Sequence, residues 1–245
     1  MRGIVRLKAL PEPDFLDFTL PEKCVTVVTD DGTDATPALV RALAGRDWKV
    51  VVLNFPRDVV ARPSSLPSGV NRVTLKDMSE EELERKLAEI TSSYGPVAAF
   101  IHIHPPSKAE LNGGIHFPES DRAIVRQVFL AAKHLKEALN QASSQGRSIF
   151  MTVVRMDGEL GLGETIMFSP VSGGLFGLVK TLNLEWEPVF CRALDISPLV
   201  DAGQLAEFVV AELHDPNRLI TEVGYSMNGR ATLAVEQKFG KKVVQ

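Results

Sequence analysis

From residue 23 onward the chain alternates short apolar, β-branched runs with longer stretches whose apolar residues recur every three or four positions. This alternation constrains the fold more than any single motif does. Strands joined by helical crossovers build an α/β fold, a doubly wound and mostly parallel sheet with helices on both faces. Residues 23–29, 48–53, 70–75, 97–103, 148–154 and 190–196 read as strands, with 222–226 and 231–235 as the last two. Apolar runs of this length suit strands buried on both faces. A helix is expected from Asp34 through Leu43, with Thr36 as N-cap and Pro37 in the first turn. A second, over 79–92, opens on the capping box Ser79-Glu80-Glu81-Glu82. Ile124, Val128, Ala132, Leu135 and Leu139 place one apolar stripe on a helix over 120–145. Val171, Leu175, Leu178, Leu182 and Trp186 do the same over 171–186, with Phe176 and Val179 beside the stripe, and 201–213 forms the last helix. The expected organisation is an N-terminal edge strand (3–7) and Pro-rich connector over 1–22, the doubly wound domain over 23–236, and a C-terminal linker over 237–245.

In such a sheet ligands bind outside the carboxyl ends of the strands, and the first strand–helix turn carries the phosphate site. A pyrophosphate there needs glycines, so that the backbone turns tightly and helix N–H groups point at it. The turn is Thr29-Asp30-Asp31-Gly32-Thr33-Asp34-Ala35-Thr36. It holds one glycine, and Asp30, Asp31 and Asp34 crowd the place where two phosphates would lie. Like charges within ~5 Å cost on the order of kilocalories even at an effective dielectric near 20. A metal bridging the three carboxylates to phosphate is one reading; Asp and Thr as caps and turn formers is the simpler one. The second strand ends in Asn54-Phe55-Pro56-Arg57, without the acid that holds ribose hydroxyls. Arg57 is of the type that takes a 2′-phosphate, yet Pro56 stiffens its loop and an isolated arginine is more often solvated.

The segment Ser172-Gly-Gly-Leu-Phe-Gly-Leu-Val-Lys-Thr-Leu-Asn-Leu-Glu-Trp186, followed by Cys191-Arg-Ala-Leu-Asp-Ile-Ser-Pro198, resembles ketoreductase regions of type I polyketide synthases and polyunsaturated fatty acid synthases. So do Val25-Thr-Val-Val-Thr29 and Glu222-Val-Gly-Tyr-Ser-Met-Asn-Gly-Arg-Ala-Thr-Leu233, and the similarity runs from Lys23 to Val235. Several of these motifs are shared by the wider short-chain dehydrogenase superfamily. The resemblance implies a Rossmann-like fold and one of two halves: a truncated, cofactor-free structural half, or a complete NADPH-binding catalytic half. The family's motif Thr-Gly-Gly-x-Gly-Gly-x-Gly falls on residues 29–36, where Asp30, Asp31, Thr33, Asp34 and Thr36 replace all five glycines. Its His-Ala-Ala-Gly falls on His102-Ile103-His104-Pro105. Its catalytic Tyr, twelve residues before the matching Lys180, falls on Phe168, and the Lys or Asn four residues after that Tyr falls on Ser172. Phe168 has no hydroxyl to donate a proton to a ketone, and Ser172 has no cation or amide to tune one. The two tyrosines present, Tyr94 and Tyr225, are followed four residues later by Ala98 and Gly229. The resemblance therefore implies the structural half.

Other signals are weaker. His102 and His104 alternate on one strand face, but His116 lies across a Gly-Gly loop, so hydrogen-bonded histidines fit better than a metal site. Gly158-Glu-Leu-Gly161-Leu-Gly163 imitates a nucleotide loop but follows the wrong strand and leads into no helix; a flexible connector is expected. Gly-x-Ser-x-Gly is absent, which removes the usual hydrolase of this class. Twenty-seven Lys and Arg against 31 Asp and Glu leave a net charge of −4, which excludes an electrostatic footprint for nucleic acid. No apolar run reaches the ~18 residues of a membrane span, and the first residues are no signal peptide. Cys24 and Cys191, lone and distant in apolar runs, read as reduced thiols of a cytoplasmic protein.

The expectation is a non-catalytic, ketoreductase-like structural domain of a multidomain polyketide or fatty acid synthase. Its partner is the catalytic ketoreductase half of the same polypeptide, with a homodimer through helix 171–186 where that half is missing. No catalytic, cofactor-binding or metal-binding residue is assigned, and no cofactor is expected. The ends of the chain fit a piece of a longer one. The rival reading is a divergent NADP-binding short-chain dehydrogenase that uses Arg57 and Thr29.

Overall fold

A computed structural model describes residues 3–106, 118–163 and 169–237. In chain order the elements are β1 (Gly3–Ala9), β2 (Val25–Thr29), α1 (Ala35–Ala44), β3 (Val50–Asn54), β4 (Asn71–Thr74), α2 (Glu80–Tyr94), β5 (Val97–Ile103), α3 (Glu119–Ala142) and β6 (Ile149–Val154). A 3₁₀ turn (Pro170–Gly173) then leads into α4 (Gly174–Glu185), followed by β7 (Phe190–Ile196), α5 (Ala202–His214), β8 (Glu222–Ser226) and β9 (Gly229–Gln237). The nine strands form one sheet in the order β1-β9-β8-β7-β6-β5-β2-β3-β4. β2 through β8 are parallel, while β9 and β1 extend the sheet antiparallel at one edge.

Every residue of β2, β3, β5, β6 and β7 is buried, which is why these segments read as unbroken apolar runs instead of alternating ones. Val27, Phe100, Phe150 and Ala193 face the layer that also holds Leu87 of α2, Leu135 of α3 and Val179 of α4. Val28, Ile101, Met151 and Leu194 face the other layer, with Leu39 of α1 and Val209 of α5. β3 and β4 are joined without a helix, by residues 55–70. The order β4-β3-β2-β5-β6-β7 is that of a dinucleotide-binding sheet, and it reverses between β2 and β5. The ligand crevice of such a sheet opens at that reversal.

Two expected caps differ from what is found. Asp34, not Thr36, stands at the N-cap of α1, and its side chain caps nothing. Thr36 lies inside the helix, where its hydroxyl donates to Asp31 Oδ1 (2.6 Å). The box at α2 is half made. Ser79 Oγ accepts from the Glu82 N–H, whereas Glu82 takes the Lys76 N–H (3.1 Å) and the Arg85 guanidinium. Helix α3 ends at Ala142, and residues 143–145 are turn. Phe176 and Val179, expected beside the apolar stripe and available to a partner, are buried in the domain's own core (7% and 0% exposed). Helix α4 packs on β6, β7 and also α3, so its buried arc is wider than one sheet contact requires.

A charged cluster lies under the α5 face. Arg192 of β7, fully buried, pairs with Glu212 of α5 and with Asp215 (3.4 Å) just after it. Arg230 of β9 reaches the same two carboxylates at 2.6 Å each, and the Tyr225 hydroxyl donates to Glu212 (2.8 Å). The N-terminal segment is tied to this region. Arg230 donates to the Pro11 carbonyl, Leu16 N–H to the His214 carbonyl, and Phe15 stacks on the His214 ring at 4.2 Å. No helix among the described residues is long and apolar enough to cross a membrane.

Candidate functional site

The carboxyl ends of β2 and β5 bring together residues 29–36, 54–57, 102–106 and the start of α3. At the point of reversal, Thr29 Oγ1 lies 2.8 Å from His102 Nδ1 and accepts the Ile103 N–H at 3.0 Å. His102 Nε2 in turn lies 3.3 Å from His104 Nδ1, and Phe55 sets its ring edge-on to His102. Both imidazoles are buried. Burial holds His102 well below its ordinary value, with the neighbouring His104 adding to the effect. Burial also lowers His104 to about 4, against the pull of Asp121 on α3. Two neutral imidazoles set edge-on to each other and a hydroxyl thus form a buried hydrogen-bonded row at the base of the crevice.

The Asp-rich turn is equally self-contained. Asp30 accepts from the Gly32 N–H (2.9 Å) and from the backbone (3.0 Å) and hydroxyl of Ser64. Asp31 accepts from the Thr33 N–H (3.1 Å), the Thr33 hydroxyl and Thr36. Both carboxylates are almost wholly buried, whereas Asp34 is exposed. The crowding expected from the sequence is relieved because each buried carboxylate has its own donors, three of them backbone N–H groups. Asp30 and Asp31 stand to this loop as a bound anion would. Ser64 supplies the Asp30 clamp from the helix-free β3–β4 connection, a contact no local motif announces.

At the ends of β3 and β4 a cavity of about 210 Å³ is lined by Asp30, Asn54, Arg57 and Arg72 among others. Asn54 is 4% exposed, and its Oδ1 has no partner among the described residues. A larger cavity, about 360 Å³, lies beyond β6, β7 and β8 and is lined by Met156, Asp157, Glu159, Leu199, Met227 and Asn228 among others. Its floor is the Gly-rich segment after β6, which is an ordered turn and no slack connector. Met156, Gly158 and Leu160 donate their N–H groups to Asp195 of β7, each at 2.9 Å. Glu159, Gly161 and Gly163 donate theirs to Asp157 at 2.7–3.0 Å. Over residues 158–161 successive N–H groups thus alternate between two carboxylates, and Gly158, Leu160 and Gly161 all take positive φ in this winding. Burial pushes Asp195 up to about 7, and a hydrogen bond shared with Asp157 adds to the shift. Asp157, although partly buried, is held below its usual value by that bond and by the loop N–H groups. Sequence reasoning missed this pair; the signal was an Asp-Gly with glycines recurring just after a strand.

Of the residues weighed as catalytic or metal-binding, Phe168 and His116 lie outside the described residues. Ser172 is buried in the 3₁₀ turn, its hydroxyl on the Ser169 carbonyl (2.7 Å). Lys180 pairs with Glu222 at 2.6 Å. Tyr225 lies on the α5 face against Glu212, and Tyr94 ends α2. Neither tyrosine stands at the carboxyl edge beside the crevice. Among the described residues no three His, Cys, Asp or Glu side chains form a metal-binding group.

Fold and strand order together define a Rossmann-like, mostly parallel sheet, and solved short-chain dehydrogenase/reductase structures share that fold. The 3-ketoacyl-(acyl-carrier-protein) reductase of Brucella melitensis, complexed with NADH, superposes with a TM-score of 0.63 at 18% identity over 79% of this chain and 91% of that one. A metagenomic short-chain oxidoreductase in complex with NADP gives 0.58 at 17% identity over 82% and 96%. More particularly, 226 residues, 88% of the chain, are 30% identical to a polyunsaturated fatty acid synthase polypeptide of Thraustochytrium sp. (strain ATCC 26185 / S-3). The chain spans 7% of that protein's length. No family model matches. The resemblance to a ketoreductase-like region of such synthases, first carried by residues 172–186, 191–198 and 222–233, thus extends over most of the chain.

Proposed function

We propose that the chain is a non-catalytic, ketoreductase-like structural domain of a multidomain polyketide or fatty acid synthase in the cytoplasm. In this reading it supports an adjacent NADPH-dependent ketoreductase half of the same polypeptide. The observation that carries it is the occupancy of the phosphate turn. The N–H groups of Gly32 and Thr33, which an anion at this turn would need, already hold Asp30 and Asp31, and the Ser64 N–H from the β3–β4 connection adds to the hold on Asp30. The residues present do not fit a dinucleotide, because its pyrophosphate would displace or oppose two buried carboxylates. The helix-free β3–β4 connection agrees with a truncated half. Alone, the exposed face of α4, with Leu184 at its far end, is where a second copy would sit.

Calorimetric titration with NADPH tests the reading. No binding is expected below about millimolar, where binding free energies fall to roughly −4 kcal/mol. A micromolar dissociation constant overturns it. One observation favours the rival, a divergent NADP-binding reductase: Arg57 and Arg72 line a cavity beside Asn54, where a 2′-phosphate would be read. The same titration decides between the two.

A further inference from the structure

We propose that the outer edge of β1 is a docking strand for an extended segment of another polypeptide in which apolar and acidic residues alternate. β1 closes the sheet order: β9 pairs one of its sides, and no described strand pairs the other. The register Val5↔Val235, Leu7↔Leu233 and Ala9↔Ala231 gathers six apolar residues on one face of the β1–β9 ribbon. Arg6, Lys8, Thr232 and Glu236 take the opposite face, together with Ile4 and Ala234. The ribbon packs chiefly on itself and on β8, leaving Val5 and Val235 48% and 65% exposed. Among the described residues, an unpaired row of backbone donors and acceptors thus runs beside an open apolar face. That combination is what strand addition uses, backbone bonds supplying affinity and alternate side chains specificity.

Charge selects the occupant. Arg6 is paired with Glu236 at 2.9 Å, one strand inward, and Lys8 has no ion pair among the described residues. A strand added outside β1 meets both cations on its polar face, so acidic residues there complement them and basic ones are repelled. A second copy fits badly. Two β1 edges paired antiparallel about Leu7 would oppose Arg6 of each copy to Lys8 of the other. Two ribbons stacked face to face would bury only about 220 Å² each, from seven residues at ~3.3 Å along two strands ~4.8 Å apart, against the ~800 Å² per partner of a specific interface. Lysine on an edge strand also serves as a guard against pairing, and a pure guard binds no strand of either charge. The inference rests on the fold alone and is independent of the proposed function.

The test uses the full chain and two fluorescein-labelled peptides, one of four Val-Glu repeats and one of four Val-Lys repeats, followed by fluorescence anisotropy. The acidic peptide is expected to bind roughly tenfold more tightly than the basic one. Lys8→Glu should remove that preference, and Val5→Ser with Leu7→Ser should weaken the acidic peptide by a similar factor, all with unchanged circular dichroism. Amide resonances of residues 4–8 should shift on titration. Equal affinity for both peptides, no binding of the acidic one, indifference to Lys8→Glu, or shifts centred on Arg57 and Arg72 would each overturn the proposal.

Discussion

Thr29 Oγ1 and His102 Nδ1 meet at 2.8 Å across the one boundary in the sheet where the strand order reverses. Crossovers leave that boundary toward opposite faces, so a parallel sheet of this order has a crevice there by construction. Here the last residue of β2 and the penultimate residue of β5 close it from inside. The hydroxyl also takes the Ile103 N–H, so one threonine satisfies a backbone donor and an imidazole, both buried.

Thr29→Val tests whether this closure is structural. The valine keeps the shape but leaves the Ile103 N–H and the His102 ring nitrogen without their partner, at about 1–3 kcal/mol for each buried group so stranded. The urea midpoint should fall accordingly, with no gain in NADPH affinity. An unchanged midpoint would mean that the contact contributes nothing to the fold.

The strands are legible in the sequence because burial on both faces leaves a mark in every residue of β2, β3, β5, β6 and β7. The loss of glycine at the phosphate turn is legible for the same local reason. What the turn's carboxylates do is not, since the Asp30 clamp comes from Ser64 in a distant loop. The Gly158–Gly163 segment reads as slack because the carboxylate that winds it, Asp195, belongs to the next strand. Phe176 misleads for a related reason: helical spacing reports an apolar arc but not how many neighbours share it.

That difference yields a contrast between two substitutions on one helix. Phe176 fills the core, so Phe176→Ala should cost about 3–5 kcal/mol. Leu184 is 84% exposed, so Leu184→Asp should leave the thermal midpoint within about a degree or two. If α4 faces a partner, the second change alone should alter sedimentation of the chain, or solubility when the following half is present. Unaltered association with Leu184→Asp would remove the α4 face as the interface.

Two opposing linkages act over the same pH window. Asp195 has its folded value raised to about 7, so its contribution is fully present below the ordinary carboxyl value of 3.8 and is lost as pH rises from there through about 7. His102 and His104 are depressed bases that fold neutral, and their contribution is lost as pH falls from about 6.5 toward 4. Asp157, held low, adds to the acid side only below about 3.8. Two histidines outweigh one carboxyl, so stability should rise with pH across this window and level off above about 7. In Asp157→Asn the new amide donates to the Asp195 carboxylate, so Asp195 ionises more readily, its opposing slope shrinks and the acid decline should steepen. Denaturant midpoints between about pH 4.5 and 8.5 read this, and an acid decline no steeper after the substitution would clear the carboxyl pair of responsibility.

The cluster under α5 allows the sharpest stability test, because one carboxylate serves three buried partners. Glu212 holds Arg192 and Arg230 and accepts from Tyr225, and burial and that carboxylate together raise the phenol well above its ordinary value. Removing its charge leaves two guanidinium groups to share Asp215, and Arg192 has no route to water. Glu212→Gln should therefore cost about 3–5 kcal/mol, the penalty for stranding a buried charge rather than the worth of one pair. Arg192→Met in the same chain withdraws the stranded cation and should recover part of that loss. A double variant no more stable than Glu212→Gln alone would show that Arg192 is not the group that suffers from the missing carboxylate. Because Arg230 also donates to the Pro11 carbonyl, hydrogen exchange in residues 10–18 should accelerate in Glu212→Gln and slow again in the double variant. Acceleration that persists in the double variant would trace the N-terminal tether to Arg230 alone.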